Sequence, residues 1–280
     1  MSQLKNGNIS PVRFIRKMRG SSQSSLIEAS DGNLYIVKLQ HDFIGSQIVF
    51  NEAIGSELYR QIGLPTPDWS GIEIGDQFID SNRGLWCESH GKVIRPHSGL
   101  HFASQYLGDE THSVYEVLPG SWYSRIQNRS DFLGALVADV WFEHVDSRQA
   151  LFLQKEGEHS LAAVFIDHGH LLGGPEGGES MRLRACFHLD MRIYNELDVV
   201  SNMEYWLDRF RRNGDVYIAN AVTCIPKEWI KPNYLRKIDR LLSNLTRLHE
   251  QIFPDAFRWI QTPGNKKVVV QTQKYKAIVA

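Results

Sequence analysis

The chain has 280 residues, of which 42% are hydrophobic and 22% charged, values ordinary for a globular protein of one large domain or two lobes. Its 31 basic and 32 acidic residues are mixed along the chain and give a net charge of −1, which argues against a dedicated nucleic-acid or membrane surface. Three widely separated cysteines without C-x-x-C spacing argue against a disulfide framework or a structural zinc site, and the lack of a long apolar run predicts a cytoplasmic protein.

The first hundred residues predict a β-rich lobe. The segments "PVRFIRKM", "LIEA" and "LYIVKLQ" have the alternation of strands, and the turn sequence "SDGN" joins the second to the third. The segment "IGSQIVFNEAIGSELYRQIG" has apolar residues near a helical period, and Gly63 and Pro65 end this helix. Next, "DWSGIEIGDQFI" predicts a hairpin, "LHFASQYL" a further strand, and the Gly-Asp pair at residues 108–109 a junction.

From about residue 110 the pattern becomes helical. We predict helices at "RSDFLGALVADVWFEH", "SNMEYWLDRFRRNG" and "PKEWIKPNYLRKIDRLLSNLTRLHEQIF", the last divided at Pro232. Two short strands, "QALFL" and "AAVFID", follow the first of these helices. The whole pattern predicts an α+β fold with a β-rich lobe containing one helix over residues 1–108 and a mostly helical lobe over residues 109–280.

Lys38 in "LYIVKLQ" is the first candidate for chemistry. Alternation along the strand separates its side chain from those of the neighbouring Val37 and Leu39. A lone strand lysine is usually solvated, but the following helix supplies Glu52 as a partner, with Glu57 as a weaker alternative. A strand lysine held by a helix glutamate is the device by which kinases place an ammonium on nucleotide phosphates.

The segment "GSSQSS" joins the first two predicted strands, ahead of Lys38. It consists of Gly20, Ser21, Ser22, Gln23, Ser24 and Ser25. Small residues let the backbone approach a ligand and direct N–H groups at phosphate oxygens. The position of the segment before a strand lysine favours a phosphate-covering loop over a simple turn.

Asp146 and Asp167 each lie beside a short apolar strand. Pairing of "ALFL" with "AVFI" as a hairpin would bring both carboxylates to one end of the pair. Two convergent carboxylates suit Mg²⁺, which prefers hard oxygen ligands.

The histidines around these aspartates allow a different interpretation. His144, Asp146, Asp167, His168 and His170 could form the zinc or two-metal site of a hydrolase. This metallohydrolase alternative leaves Lys38 and the glycine-serine loop without a purpose.

In this order, the segments resemble the HipA-like kinases, bacterial proteins with a protein-kinase-like fold. The resemblance is best to the shorter kinase-domain proteins and covers roughly residues 12–253. It is carried by "GSSQSSLIEASDGNLYIVKLQ", "NEAIGSEL" with "GLPTP", "LHFASQYLGD", "DFLGALVADVWFEHVDSRQALF" and "VFIDHGHLLGG".

The resemblance implies a role for each candidate residue. Lys38 would contact the nucleotide phosphates, Glu52 would position Lys38, and the loop at residues 20–25 would cover the phosphates. Asp146 would be the catalytic aspartate that orients the substrate hydroxyl and accepts its proton. Asp167 would bind Mg²⁺, with "DHG" standing where other kinases have "DFG".

One position departs from the family pattern. The larger toxins, like ordinary kinases, have a metal-binding asparagine five residues after the catalytic aspartate, where this chain has Leu151. Gln149 is the nearest polar substitute in the catalytic loop; it could bind Mg²⁺ through its amide oxygen or only order the loop, while Arg148 could offset charge at the phosphates or a substrate. A nucleotide-binding pseudokinase or scaffold therefore stays open as an alternative.

The resulting expectation is an ATP- and Mg²⁺-dependent kinase that acts on Ser or Thr of an unidentified protein. By resemblance to the toxin kinases, autophosphorylation of the loop serines and an antitoxin-like partner are further expectations, with turn formation as the alternative role for the serines. No membrane association and no direct nucleic-acid binding are expected.

Overall fold

The computed structural model of the chain describes residues 9–20, 22–42, 45–89, 91–174 and 187–244. The strands are β1 (Pro11–Lys17), β2 (Ser25–Ala29), β3 (Leu34–Lys38), β4 (Trp69–Ile74), β5 (Cys87–Ser89), β6 (Lys92–Ile94), β7 (Gly99–Gln105), β8 (His112–Tyr115), β9 (Gln149–Lys155) and β10 (Ala162–Ile166). The α-helices are α1 (Ser46–Ile62), α2 (Asp76–Ser81), α3 (Asp131–Trp141), α4 (Val199–Cys224) and α5 (Pro232–Asn244).

The N-terminal sheet has five antiparallel strands in the order β1-β2-β3-β7-β4. Its first three strands form the meander predicted from the sequence. Ile9, just before β1, also pairs with β4: its N–H donates to Gly71 O at 3.1 Å, and Glu73 N donates to Ile9 O at 2.8 Å. This bridge brings the two edges of the sheet together and covers backbone groups that an open edge would leave unpaired.

The predicted hairpin at "DWSGIEIGDQFI" is wrong. β4 pairs with β7, from Trp69 opposite Ser104 to Ile74 opposite Gly99, and the second half of the segment is the short helix α2. The partner of β4 is thus a strand some thirty residues further along the chain, which local patterns do not reveal. The buried Ile79 holds α2 to the core on one face of the sheet.

Helix α1 lies between the N-terminal sheet and the C-terminal helices and is buried over most of its length. The Phe50 ring packs against Tyr234 of α5, with ring centroids 4.9 Å apart. Trp229 packs near Trp69 of β4 at 6.1 Å. The helix ends at Gly63, whose φ of 84° requires the left-handed conformation that glycine adopts without strain. Since one core surrounds α1 from both sides, the helix is fixed relative to both the sheet and the C-terminal helices.

The C-terminal region combines helices with a three-stranded antiparallel sheet in the order β10-β9-β8. The predicted helix at "SNMEYWLDRFRRNG" continues to Cys224 as α4. Helix α5 begins at Pro232, as the predicted division requires, because the first turn of a helix does not use the missing proline N–H. The rest of that predicted helix, from residue 245, lies outside the described residues. The α+β architecture predicted from the sequence is confirmed.

Two simple features complete the fold. Cys87 and Cys224 are free thiols, while Cys186 lies outside the described residues. No helix in the described part of the chain combines the length and apolar character needed to cross a bilayer.

Candidate active site

The β9–β10 hairpin brings the two candidate aspartates to the same end of a sheet. Gln149, the first residue of β9, pairs with Ile166, the last of β10, so the chain before β9 and the chain after β10 are neighbours. Gln149 Nε2 donates to Asp167 Oδ2 at 2.8 Å. Asp167 has a φ of 64°, an uncommon conformation for a residue with a side chain, and it begins a sharp turn.

Lys38 reaches this turn from the other sheet. Its ammonium contacts Glu52 Oε1 of α1 and lies 2.6 Å from Asp167 Oδ1. The neighbouring Val37 is buried in the core on the opposite face of the sheet, so alternation turns Lys38 toward α1. Glu52 rather than Glu57 is the partner, because Glu57 accepts hydrogen bonds from other side chains.

The pKa values of Lys38, Glu52 and Asp167 depend on the charges that these three neighbouring side chains carry. Burial alone would lower the pKa of Lys38, but the two carboxylates outweigh it and hold that pKa above its ordinary value. Burial raises the pKa of Glu52, and the nearby Asp167 carboxylate adds to this effect while Lys38 opposes it. For Asp167, burial is outweighed by the Lys38 ammonium, which holds the pKa well below its usual range. One positive charge is therefore shared between two carboxylates.

The residues after Asp167 pack closely under α1. His168 N donates to Glu52 Oε2 at 3.1 Å. A Cβ on Gly169 would lie 2.8 Å from Glu52 Oε1, so a side chain at this position would displace the Glu52 carboxylate. The His168 ring is buried, with its centroid 4.5 Å from that of Tyr59, and burial lowers its pKa well below the usual value. His168 is thus a neutral packing residue.

His144 connects the backbones of the two aspartates. Its ring Nδ1 lies 2.7 Å from Asp146 O, and its Nε2 lies 3.3 Å from Asp167 O. Burial lowers the pKa of this imidazole, aided by the charge of Arg148. The Asp146 carboxylate accepts a hydrogen bond from Ser147 N at 2.7 Å. A neutral ring has a single N–H; with that proton on Nε2 it donates to Asp167 O and accepts from Asp146 N at 3.3 Å, which links the loop before β9 to the turn after β10.

The cluster required by the metallohydrolase alternative does not form. His144 and His168 are each 1% exposed and are directed at backbone and at Thr66 rather than at a common point. Within the part of the chain that the structure describes, no three His, Cys, Asp or Glu side chains converge as metal ligands.

Mg²⁺ bound together with a nucleotide makes a smaller demand on the protein. It is usually held by one or two carboxylates, with phosphate oxygens and water as the other ligands. Asp167 meets this demand with a side chain that is 25% exposed, and the Gln149 amide lies beside it. Leu151 lies within β9, opposite Val164, and offers no ligand atom. The residues present therefore fit a nucleotide-bound Mg²⁺ held mainly by Asp167, with the Gln149 amide oxygen as a further candidate ligand.

Arg148 is not available to a phosphate, in contrast to the sequence-based prediction. It is 2% exposed; its Nε and Nη2 each donate to Asp139 at 2.7 Å, and its Nη1 donates to Ile166 O at 2.8 Å. Tyr59 completes the network by donating to Asp139 Oδ1 at 2.6 Å. Asp139 is not predicted as part of the site; its signal in the sequence is a single acid within the apolar run "ALVADVW" of α3. The guanidinium holds together α3, the loop before β9 and the end of β10.

The glycine-serine loop is shorter than predicted. Ser25 is completely buried within β2, and Ser24 is 5% exposed, so neither hydroxyl is accessible. Gln23 Nε2 donates to Glu88 O at 2.6 Å and Gln23 Oε1 accepts from Glu88 N at 2.9 Å, which commits this side chain to β5. Gly20, with a φ of 112°, and the half-buried Ser22 remain at the turn. Ser21 lies outside the described residues.

A strand lysine paired with a helix glutamate and facing an aspartate after a hairpin defines the protein-kinase-like class. A crystal structure of the Golgi casein kinase with Mn and ADP bound has this fold, with a TM-score of 0.56, 10% identity and coverage of 86% of this chain and 73% of that one. A second crystal structure of the Golgi casein kinase matches with a TM-score of 0.52, 10% identity and coverage of 87% and 74%. At this identity the likeness concerns the fold alone, and it confirms the protein-kinase-like architecture.

The family follows from the sequence. Residues 12–146 match the family described as HipA-like kinase, which confirms the resemblance. The matched segment contains Lys38 and Glu52 and ends at Asp146, while Asp167 lies beyond it. No functionally curated protein matches the chain. Family and fold together support phosphotransfer as the general activity.

Proposed function

We propose that this protein transfers the γ-phosphoryl group of ATP, with Mg²⁺, to a Ser or Thr hydroxyl of a protein. The observation that carries the proposal is the Lys38 ammonium held between Glu52 and Asp167. This is the arrangement that a kinase needs to hold phosphate oxygens and a metal ion on adjacent groups. In this proposal residues 1–108 and 109–280 are the two lobes that bound the nucleotide cleft.

Each residue then has a task in the transfer. Lys38 would donate to phosphate oxygens while Glu52 keeps its ammonium in place, and Asp167 would turn its carboxylate from Lys38 to the metal. Bound Mg²⁺ would supply neutralisation of the charge on the phosphate oxygens. Asp146 would orient the acceptor hydroxyl and take its proton as the new phosphate ester forms and ADP leaves.

The proposed cofactors have support of two kinds. The Golgi casein kinase has the same fold and was crystallised with Mn and ADP, which supports use of a nucleotide and a divalent cation here. Oxygen ligands from Asp167 and the Gln149 amide favour Mg²⁺ over the metals that prefer nitrogen or sulfur.

The free thiols of Cys87 and Cys224 fit the proposed cytoplasmic location.

Thermal unfolding with ATP tests this proposal. A ligand present at a hundred times its Kd stabilises the folded state by about 2.7 kcal/mol. We expect such stabilisation from ATP with Mg²⁺ and much less from ATP without it, and we expect Asp167→Ala to lose the magnesium-dependent part. Asp215→Ala, which changes an exposed acid on α4, is the matched control and should behave as the wild type. An equal effect of Mg²⁺ in the wild type and in folded Asp167→Ala would contradict the assignment.

A pseudokinase is the second candidate, favoured by one observation. Leu151 occupies the position of the second metal ligand and lies within β9. A protein that binds ATP and Mg²⁺ through Lys38 and Asp167 but transfers no phosphate would fit this arrangement. Detection of labelled product separates the two candidates.

Autophosphorylation and protein partners belong to the same proposal. Among the described loop serines only Ser22 is partly accessible, since Ser24 and Ser25 are buried. Phosphate on Ser22 would add roughly −1.5 to −2 charges where ATP phosphates are expected and would oppose nucleotide binding. A protein substrate and an antitoxin-like partner are proposed on the family resemblance alone.

A further inference from the structure

Asn51 of α1 holds the backbone turn that follows Asp167. Its side chain is completely buried, and Nδ2 donates to Gly169 O at 2.8 Å and to Leu171 O at 2.7 Å. Because both partners are carbonyl oxygens, only the amide nitrogen can face them, which fixes the orientation of the amide. Both N–H groups of this buried amide therefore donate to the same turn of the chain.

The contacts of Asn51 continue along the same face of α1. One helical turn earlier, Gln47 Nε2 donates to Gly174 O at 2.7 Å. One turn later, a Cβ on Gly55 would lie 2.4 Å from His168 Cβ, so the glycine permits direct packing. Residues four apart lie above one another on a helix. Three successive turns of helix α1 thus contact the chain from residue 168 to residue 174.

These backbone contacts of α1 matter because the side-chain contacts of the Asp167 carboxylate must change in the proposed reaction. Lys38 and Gln149 contact that carboxylate through long side chains, and both would move when phosphates and metal bind. The two hydrogen bonds from Asn51 act on backbone instead and need not change. Together with the Glu52 contact to His168 N and the His144 contact to Asp167 O, they hold the turn at Asp167, with its φ of 64°, that presents the carboxylate.

We propose that Asn51 is a positioning residue for the metal-binding aspartate. It acts through the backbone of residues 169–171, and it prepares Asp167 for the metal before nucleotide arrives. The inference rests on the proposed function, because it takes Asp167 as the magnesium ligand.

Asn128 offers a matched control of the same chemistry. Its side chain accepts from Ala163 N at 2.8 Å and donates to Ala163 O at 3.0 Å, so it is also an asparagine that holds backbone by two hydrogen bonds. It holds the outer side of β10 rather than the turn at Asp167. Comparison of Asn51→Leu with Asn128→Leu separates a general loss of stability from a loss of positioning.

Two measurements are made on both variants and the wild type. Amide hydrogen exchange without any ligand should become faster at residues 168–172 in Asn51→Leu and remain as in the wild type there in Asn128→Leu. The Mg²⁺ concentration that gives half-maximal thermal stabilisation at fixed ATP should rise about tenfold in Asn51→Leu, equivalent to about 1.4 kcal/mol. It should be unchanged in Asn128→Leu.

The outcomes are distinguishable. If the wild type shows no magnesium-dependent stabilisation by ATP, the proposed function fails and the metal role of Asn51 fails with it, although exchange still reports on the turn. If the wild type responds but Asn51→Leu has the same Mg²⁺ requirement, or Asn128→Leu shifts equally, the positioning role is overturned. Should Asn51→Leu fail to fold, Asn51→Ser retains a small polar side chain and should shift the requirement about threefold, with no shift again overturning the proposal.

Discussion

The buried pair of Arg148 and Asp139 allows a quantitative prediction of stability. We consider Arg148→Met, Asp139→Leu and the double variant, which replaces both charges with apolar side chains of similar size. In the structure both side chains are essentially inaccessible, at 1% and 0% exposure, and two hydrogen bonds of 2.7 Å join them. Each single substitution therefore leaves one charge in the protein interior without its counter-charge.

The expected magnitudes follow from the cost of a buried charge. Breaking a buried pair from one side costs about 3–5 kcal/mol, whereas replacing the whole pair by apolar side chains is often neutral or stabilising. Asp139→Leu also removes the acceptor of the Tyr59 hydroxyl, which adds about 1 kcal/mol. Against a total stability of about 5–15 kcal/mol, each single variant loses a large fraction, whereas the double variant loses only about the 1 kcal/mol of the Tyr59 hydrogen bond.

Urea unfolding followed by tryptophan fluorescence measures these free energies. The sum of the two single losses should exceed the loss in the double variant by at least about 3 kcal/mol, which is the coupling energy of the pair. Single losses below about 1 kcal/mol each, or a double variant equal to their sum, would refute the reasoning from burial.

Further predictions concern the remaining contacts of the site. Lys38→Met leaves two buried carboxylates together and raises their pKa values above those of the unfolded chain; the folded state then binds more protons, so urea stability should fall from about pH 5 to about pH 8, and no fall would contradict the shared ammonium. Gly55→Ala would place a Cβ 2.4 Å from His168 Cβ and should cost about 1–3 kcal/mol in urea unfolding, whereas helix propensity alone would make it stabilising. Intact-mass spectrometry after incubation with ATP should show a phosphate that Ser22→Ala reduces and Ser25→Ala does not, because Ser25 is fully buried; a gain lost only in Ser25→Ala would contradict this.

The sequence predicts those parts of the site that local patterns determine. Alternating apolar residues identify β9 and β10, and their hairpin alone brings Asp146 and Asp167 to one end. The spacing of a strand lysine and a following helix likewise indicates Lys38 and Glu52 as partners. In each case the two segments are close in the sequence, so local patterns indicate that they pair. For β9 and β10 the strand sequences also determine the register.

Other parts depend on contacts between distant segments and have no local signal. The partners of Asn51 lie 118 and 120 residues away along the chain. In the sequence Asn51 is only a polar position of an amphipathic helix. Gln23 is bound to β5, a strand of 3 residues that is too short to show a period. Arg148 is predicted from the sequence to offset charge at the phosphates, and only the packing of α3 against its loop reveals its burial against Asp139.

Phosphoryl transfer from radiolabelled ATP tests the central claim most directly. Wild-type protein, Asp146→Asn and Asp167→Asn are incubated with Mg²⁺, and both ADP and labelled protein are measured. We predict magnesium-dependent formation of both products by the wild type and losses of at least about a hundredfold in each variant. Turnover that persists unchanged in folded Asp167→Asn, or a wild type that binds ATP and transfers no label, would contradict the account of this site as a working kinase centre.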